Sequence, residues 1–381
     1  MKSEKSERGK LKEKHRKNKE DKNNSKEDSP FSVGSVFSYL KYLILILVIP
    51  PVLNYASLVQ ENRQMLPEGG LLYDIGGGQK MFLRCEGKGV PTVLLDAPTG
   101  MSSDVWFAVQ SEIAKLTRVC VYDRAGLGFS ERPFNNASDE DAKDNRNRWQ
   151  EFTLERMADD IHRLVTFSSS QPRPLVYVGS ELGALVARFY TNMYAGEVSD
   201  LLLIDPLVEN IFTHDGAIWS QFWFGHLIPS FQAMQLAAAT GISRIMLLMK
   251  LMDQPITGSA VSEEVISRQK HLMCNPRHLS SVVDEHHFIN ESLQQISLIK
   301  KVQPFPSNVT VTVITGNYYD EQLPSTLNKA WAKSQQDLIS TIHSGCTHIV
   351  VNDADHRMIY RKPSAIIDPV KRIVRQRRSK L

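Results

Sequence analysis

Residues 175–190 read LVYVGSELGALVARFY. The run Leu175-Val176-Tyr177-Val178 is apolar on both faces, the pattern of a strand buried inside a parallel sheet. Gly179 and Gly183 bracket a five-residue turn, and from about Ala184 a helix with an apolar face runs to Tyr190. Strand, Gly-x-x-x-Gly turn and helix together lift the middle residue of the turn above the sheet, beside the free amides of the helix N-terminus. The first glycine tolerates the strained turn and the second lets the helix approach the strand. The residue lifted is Glu181; Ser180 stands one position early and is expected to point elsewhere.

Strand and helix signals alternate on either side of this stretch. Residues 71–85 read as a hairpin turning at Gly76-Gly77-Gly78. Strands follow at 91–96, 118–122, 201–204, 309–315 and 348–351, with helices at 104–116, 153–167, 325–342 and from Ser364 onward. Such alternation predicts a mainly parallel sheet. The Gly-Gly-Gly-Gln-Lys run is not a phosphate loop, because no strand-to-helix switch accompanies it. Between residues 208 and 301 the strand signal stops, and this segment reads as a helical cap inserted over the carboxyl edge of the sheet. Its Met/Leu-rich run, 242–252, is expected to be helix core; lining an apolar pocket and resting on a membrane are the alternatives. Asp284-Glu285-His286-His287 is not expected to hold a metal, since adjacent side chains on a helix diverge. No metal or other cofactor is expected.

The chain has 381 residues and 42% apolar content, enough for one large domain with additions. A formal net charge of +3 argues against a dedicated nucleic-acid protein. Four cysteines permit two disulfides without requiring any; Cys120, inside a strand pattern, is expected to be simply buried. Residues 1–38 form a charged and polar tail, largely unable to bury a core and expected to be disordered. Residues 39–60 read as a transmembrane helix, because 42–59 carry no charge and approach the ~20 residues a bilayer needs. Pro50-Pro51 and Asn54 sit awkwardly in such a span, and a buried core helix is the alternative. Basic residues crowd the N-terminal side, which places the tail in the cytoplasm and the rest outside it. The glycosylation triplets at Asn136, Asn290 and Asn308 agree with this type II, secretory-pathway topology. The terminal Ser379-Lys380-Leu381 reads instead as a peroxisome address.

From about residue 71 to 374 the chain resembles the α/β-hydrolase superfamily. It is most similar to the branch with a YDRAGxGxS loop, here Tyr122-Asp123-Arg124-Ala125-Gly126-Leu127-Gly128-Phe129-Ser130, and a GHSLGG elbow, here Gly179-Ser180-Glu181-Leu182-Gly183-Ala184. The resemblance implies an eight-stranded, mostly parallel sheet flanked by helices, a core over 65–207 and 302–378, a cap over 208–301, and a Ser-Asp-His triad at the carboxyl edge.

The resemblance puts the nucleophile on Glu181 and the histidine on His356. It puts the acid on Asp320, with Asp205, after the preceding strand, as the alternative. It puts the two oxyanion-hole amides on Pro98 and Leu182. Glu181 lacks the attacking hydroxyl, and Pro98 lacks an N–H. Relatives such as epoxide hydrolases use Asp at the tip, but Glu is one methylene longer. The expected function is a membrane-anchored protein with a degenerate site, binding an apolar ligand or a protein partner; an active hydrolase of an apolar ester or epoxide is the alternative.

Overall fold

A computed structural model describes residues 33–133, 152–168, 171–213, 217–258, 261–317, 320, 323–355 and 357–379. Residues 1–32 of the expected tail, the Asn136 triplet, His356 and the last two residues of the terminal tripeptide lie outside this description; residues 33–38, expected to belong to a disordered tail, are instead helical.

Eight strands form one sheet in the order β1-β2-β4-β3-β5-β6-β7-β8. They are β1 (Gly70–Asp74), β2 (Lys80–Glu86), β3 (Val93–Asp96), β4 (Val119–Tyr122), β5 (Leu175–Ser180), β6 (Val198–Ile204), β7 (Thr310–Gly316) and β8 (Thr347–Val351). The hairpin β1–β2 is antiparallel and joins β4 antiparallel; every later pairing is parallel. The central strands β3, β4, β5 and β6 are buried along their whole length, which is why they read as continuous apolar runs and not as alternation.

Helices cover both faces. On one, Leu94, Tyr177, Leu201 and Val313 pack with α3 (Leu154–Phe167), α4 (Leu182–Met193) and the cap. On the other, Leu95, Val178, Leu202 and Ile314 pack with α2 (Phe107–Ala114) and the closing helices α12 (Met358–Arg361) and α13 (Ser364–Arg378). α11 (Ser325–Asp337) lies between β7 and β8 in the chain.

Among the described residues of the inserted segment the regular structure is helical: α5 (Ile218–Phe222), α6 (Ile228–Ala239), α7 (Ile242–Leu248), α8 (Glu263–Met273), α9 (Pro276–His287) and α10 (Ile289–Val302). The 242–252 run corrects the expectation of helix core. Ile242, Ile245, Leu248, Met249 and Leu251 are exposed, and none lines the principal cavity. Cys120 is not simply buried either. It faces Cys85 across β2 and β4 and forms a disulfide with it; buried Cys274 and half-buried Cys346 stay free.

Near the N-terminus, α1 (Val33–Gln64) continues through Pro50 and Pro51. Its stretch Tyr39–Gln64 is long and apolar enough to cross a membrane, and its side chains are exposed from Tyr39 to Ile49, unlike those of a core helix. Residues up to Pro50 and from Pro51 onward form separate compact units. Within the second unit Asn54 is buried, its amide donating to the carbonyls of Ala238 (2.9 Å) and Cys274 (3.0 Å).

Candidate functional site

The turn after β5 takes the strained geometry expected of it. Glu181 has φ 47° and ψ −113°, a backbone region that costs a non-glycine residue roughly 1–3 kcal/mol. Its N–H donates to the Ile204 carbonyl (3.2 Å), and its own carbonyl accepts from Leu185 and Leu207 (both 3.2 Å). The glycines are needed for close approach: a Cβ on Gly179 would lie 2.3 Å from the Gly183 carbonyl oxygen, and one on Gly183 would lie 2.6 Å from that of Ala97. Ser180 is wholly buried at the end of β5, with its hydroxyl unpartnered among the described residues. Leu182, also buried, opens α4 beside the tip. The Glu181 carboxylate has one described hydrogen-bond partner, the Thr99 amide, 3.4 Å from Oε2.

Thr99 belongs to the loop after β3, and Arg124 shapes that loop. All five guanidinium hydrogens are engaged. Nε donates to Glu285 Oε1 (2.6 Å), Nη1 to Asp96 Oδ1 (2.6 Å) and the Ala97 carbonyl (2.7 Å), and Nη2 to the Pro98 carbonyl (2.8 Å) and Glu285 Oε2 (3.0 Å). Glu285, from α9 of the cap, also accepts the Gly100 amide (2.8 Å). Burial opposes the charge on Arg124, but Glu285 and Asp96 outweigh it and hold the guanidinium protonated. Cap and sheet are thus tied together around the loop that carries Pro98 and Thr99. The four-residue run at 284–287 diverges as expected on a helix: Asp284 pairs with Arg132 (2.6 Å), Glu285 with Arg124, and His286 lines the cavity. Among the described residues no cluster of three or more metal-ligating side chains occurs.

The 122–130 loop serves architecture. Asp123 accepts the amides of Ser103 (2.7 Å) and Phe129 (2.9 Å), and a Cβ on Gly128 would fall 2.0 Å from its carboxylate. The Ser130 hydroxyl donates to the Asp123 carbonyl (2.6 Å) and accepts the Phe82 amide (2.9 Å). The Gly128 amide donates to Nδ1 of His278, 3.1 Å away, so this nitrogen is unprotonated. Burial, with His271 nearby, lowers the His278 pKa to about 4. Between about pH 6.5 and 4 the unfolded chain therefore binds a proton that the folded one refuses, and stability falls as pH drops through that window. His278→Gln, which keeps an acceptor for Gly128, is expected to reduce the stability lost between pH 7 and 4.5 by about 2–3 kcal/mol. Urea denaturation at the two pH values checks this.

Above the tip lies a cavity of about 400 Å³. Its apolar wall is largely aromatic: Trp219, Phe222, Trp223 and Phe231 from the cap and Trp331 from α11. Glu181, Asp205, Asp320, Asp355 and Arg357 bring charge to it from the sheet edge. Asp205, at φ 43°, accepts from the Trp331 indole (2.8 Å). Asp320 is buried 3.9 Å from the Arg357 guanidinium, and Asp355 accepts the Arg357 amide (2.9 Å) and pairs with Arg361 (3.0 Å). Both candidate acids therefore border one cavity with Glu181; His356, the histidine the resemblance implies, lies outside the description. His286 is a cavity residue that the sequence pointed to only as a rejected metal ligand. Its Nδ1 donates to the Val282 carbonyl one turn back (2.7 Å), and burial keeps it neutral by lowering its pKa to about 4.

The family described as alpha/beta hydrolase fold matches residues 91–234. Solved structures agree over most of the chain. The Cif epoxide hydrolase from Acinetobacter nosocomialis is 13% identical with a TM-score of 0.61, covering 84% of this chain and 96% of its own. Epoxide hydrolase VrEH1 from Vigna radiata is 16% identical with a TM-score of 0.58, covering 81% and 99%. Epoxide hydrolase CorEH is 20% identical with a TM-score of 0.54, covering 79% and 96%. The chain has the α/β-hydrolase fold. No curated protein matches by sequence, and at these identities the structural likeness concerns the fold alone. The α/β-hydrolase sheet brings the elbow after β5 and the loops after β6, β7 and β8 to one edge, where the cavity opens.

Proposed function

We infer that this α/β-hydrolase-fold protein is membrane-anchored and that its cavity binds an apolar ligand without turning it over. One observation carries the reading: the strained tip presents a carboxylate into an aromatic cavity, while the neighbouring serine is buried in β5. Acyl transfer needs a hydroxyl or thiol at the tip and amides for the developing anion. Glu181 supplies a negative charge instead, and Pro98 has no N–H to offer. A type II anchor through residues 39–60 fits the exposed apolar stretch of α1. The Cys85–Cys120 disulfide suits an oxidising compartment, and Asn290 and Asn308 are exposed, as glycosylation there requires.

Epoxide opening with Glu181 as nucleophile is the second reading. A carboxylate stands at the tip with the Thr99 amide on one oxygen, and the structural neighbours include epoxide hydrolases. Opening an epoxide also needs a proton donor for the leaving oxygen. Among the described residues the cap wall offers tryptophan, phenylalanine and leucine, and His286 already donates its Nδ1 proton to a carbonyl.

Binding is testable by fluorescence, because Trp219, Trp223 and Trp331 line the cavity. A brominated alkane is expected to quench the full chain saturably. Phe231→Asp, which places a charge on the apolar wall, is expected to weaken that quenching at least tenfold, in line with the cost of desolvating a charge. Quenching that is linear in both proteins would remove the ligand-binding reading.

A further inference from the structure

We propose that α7 of the cap and the part of α1 beyond Pro51 form one surface that sits in the outer layer of the lipid bilayer. The proposal rests on reading residues 39–60 as a membrane span.

α7 carries an apolar stripe on its outward side and buries polar side chains on its inward one. Ile242, Ile245, Leu248 and Met249 recur at helical spacing and are exposed, Leu248 at 79%. On the inward side Ser243 is buried and Arg244 is half-buried. A helix on a water-facing surface carries its apolar stripe toward the core; here Ser243 and Arg244 face inward, Met246 and Leu247 are half-buried, and a second apolar stripe faces outward.

The inward side chains satisfy one another. Arg244 donates to Asn54 Oδ1 (2.9 Å) and to both carboxylate oxygens of Glu61 (2.6 and 2.9 Å), and Glu61 also meets His271 Nδ1 (2.9 Å). Asn54 completes its amide bonds on the carbonyls of Ala238 at the end of α6 and Cys274 after α8. On α1 the docked positions are 54, 57, 58 and 61, one helical face, whereas Val52, Leu53, Tyr55 and Val59 are exposed.

Depth then identifies what covers the apolar side. A bilayer core needs about 20 helical residues, so a span starting at Tyr39 ends near residue 58. Asn54 lies about four residues, or ~6 Å, inside that end. Its partners, the end of α6 and the start of α7, share that depth, and the outward stripe of α7 lies beside them. An asparagine amide in hydrocarbon is costly unless bonded, and the cap supplies its partners. The awkward polar residue of the span thus marks where the cap enters the membrane. α6 links this surface to the site, since Leu236 is exposed near its end while Phe231 lines the cavity. The ligand class this favours is an apolar molecule dissolved in the bilayer.

The test uses the full chain in a Cys346→Ser background, reconstituted into phosphatidylcholine vesicles whose acyl chains carry a nitroxide quencher. A bimane label is placed in turn on Leu248→Cys, on Leu45→Cys within the span, and on Lys329→Cys on α11. The expected result is quenching at Leu248→Cys at least half that at Leu45→Cys, with little at Lys329→Cys. Strong quenching at Leu45→Cys with Leu248→Cys behaving like Lys329→Cys would overturn the proposal and leave the span standing. Quenching at none of the three would overturn the span and the proposal with it. Equal quenching at all three would overturn the proposal by showing no preferred face.

Discussion

Replacing Arg124 with methionine is expected to lower stability by about 3–5 kcal/mol, a large share of what a domain of this kind has. The reason is what it leaves behind. Asp96 and Glu285 are almost wholly buried, and the guanidinium is the cation described against both. Without it two carboxylates remain desolvated, and the carbonyls of Ala97 and Pro98 lose their donors. Neutralising the partners as well, in Arg124→Met with Asp96→Asn and Glu285→Gln, should recover part of the loss. Recovery stays incomplete because the two carbonyls are still unpaired. Urea denaturation of the three proteins measures this; a single-variant cost under about 1 kcal/mol would mean that the network is solvated.

The second large effect is a gain. Glu181→Ser places a hydroxyl at the tip, and the variant is expected to react with a fluorophosphonate at residue 181, where the wild type does not. Its ester turnover should nevertheless stay slow, because Pro98 offers no amide to the developing anion and one missing donor costs about 10²–10³-fold. Adding Pro98→Gly restores an N–H at that position and is expected to raise the rate of the serine variant by about that factor. Intact-mass detection of the adduct and chromogenic ester assays read the two steps. Failure of Glu181→Ser to label would show that more than the nucleophile has been lost.

Much of this was legible in the sequence because it depends on local pattern. The strands β3 to β6 announced themselves as continuous apolar runs, since each is buried on both faces. The elbow was legible because two glycines must stand where a Cβ would collide with backbone. The role of Glu285 was not. It depends on α9 lying over the β3 loop, a contact between residues 161 positions apart with no local signature. The Cys85–Cys120 bridge depends on the register of β2 against β4. The 242–252 run was misread as core because apolar content alone does not say which way a helix faces; its polar side is taken up by Asn54 and Glu61, nearly two hundred residues earlier. Asn54, an oddity in an apolar span, is legible only once its three partners are in place.

Turnover by the wild type, measured against Glu181→Gln, is the most direct test of a non-catalytic site. The full chain and the variant are each incubated with a panel of short and long acyl esters and of aliphatic and aryl epoxides. If the elbow carboxylate performs no chemistry, the two proteins give the same background rate on every compound and neither gains mass. Turnover by the wild type that vanishes in Glu181→Gln, with an ester adduct at residue 181, would contradict that and establish a carboxylate nucleophile.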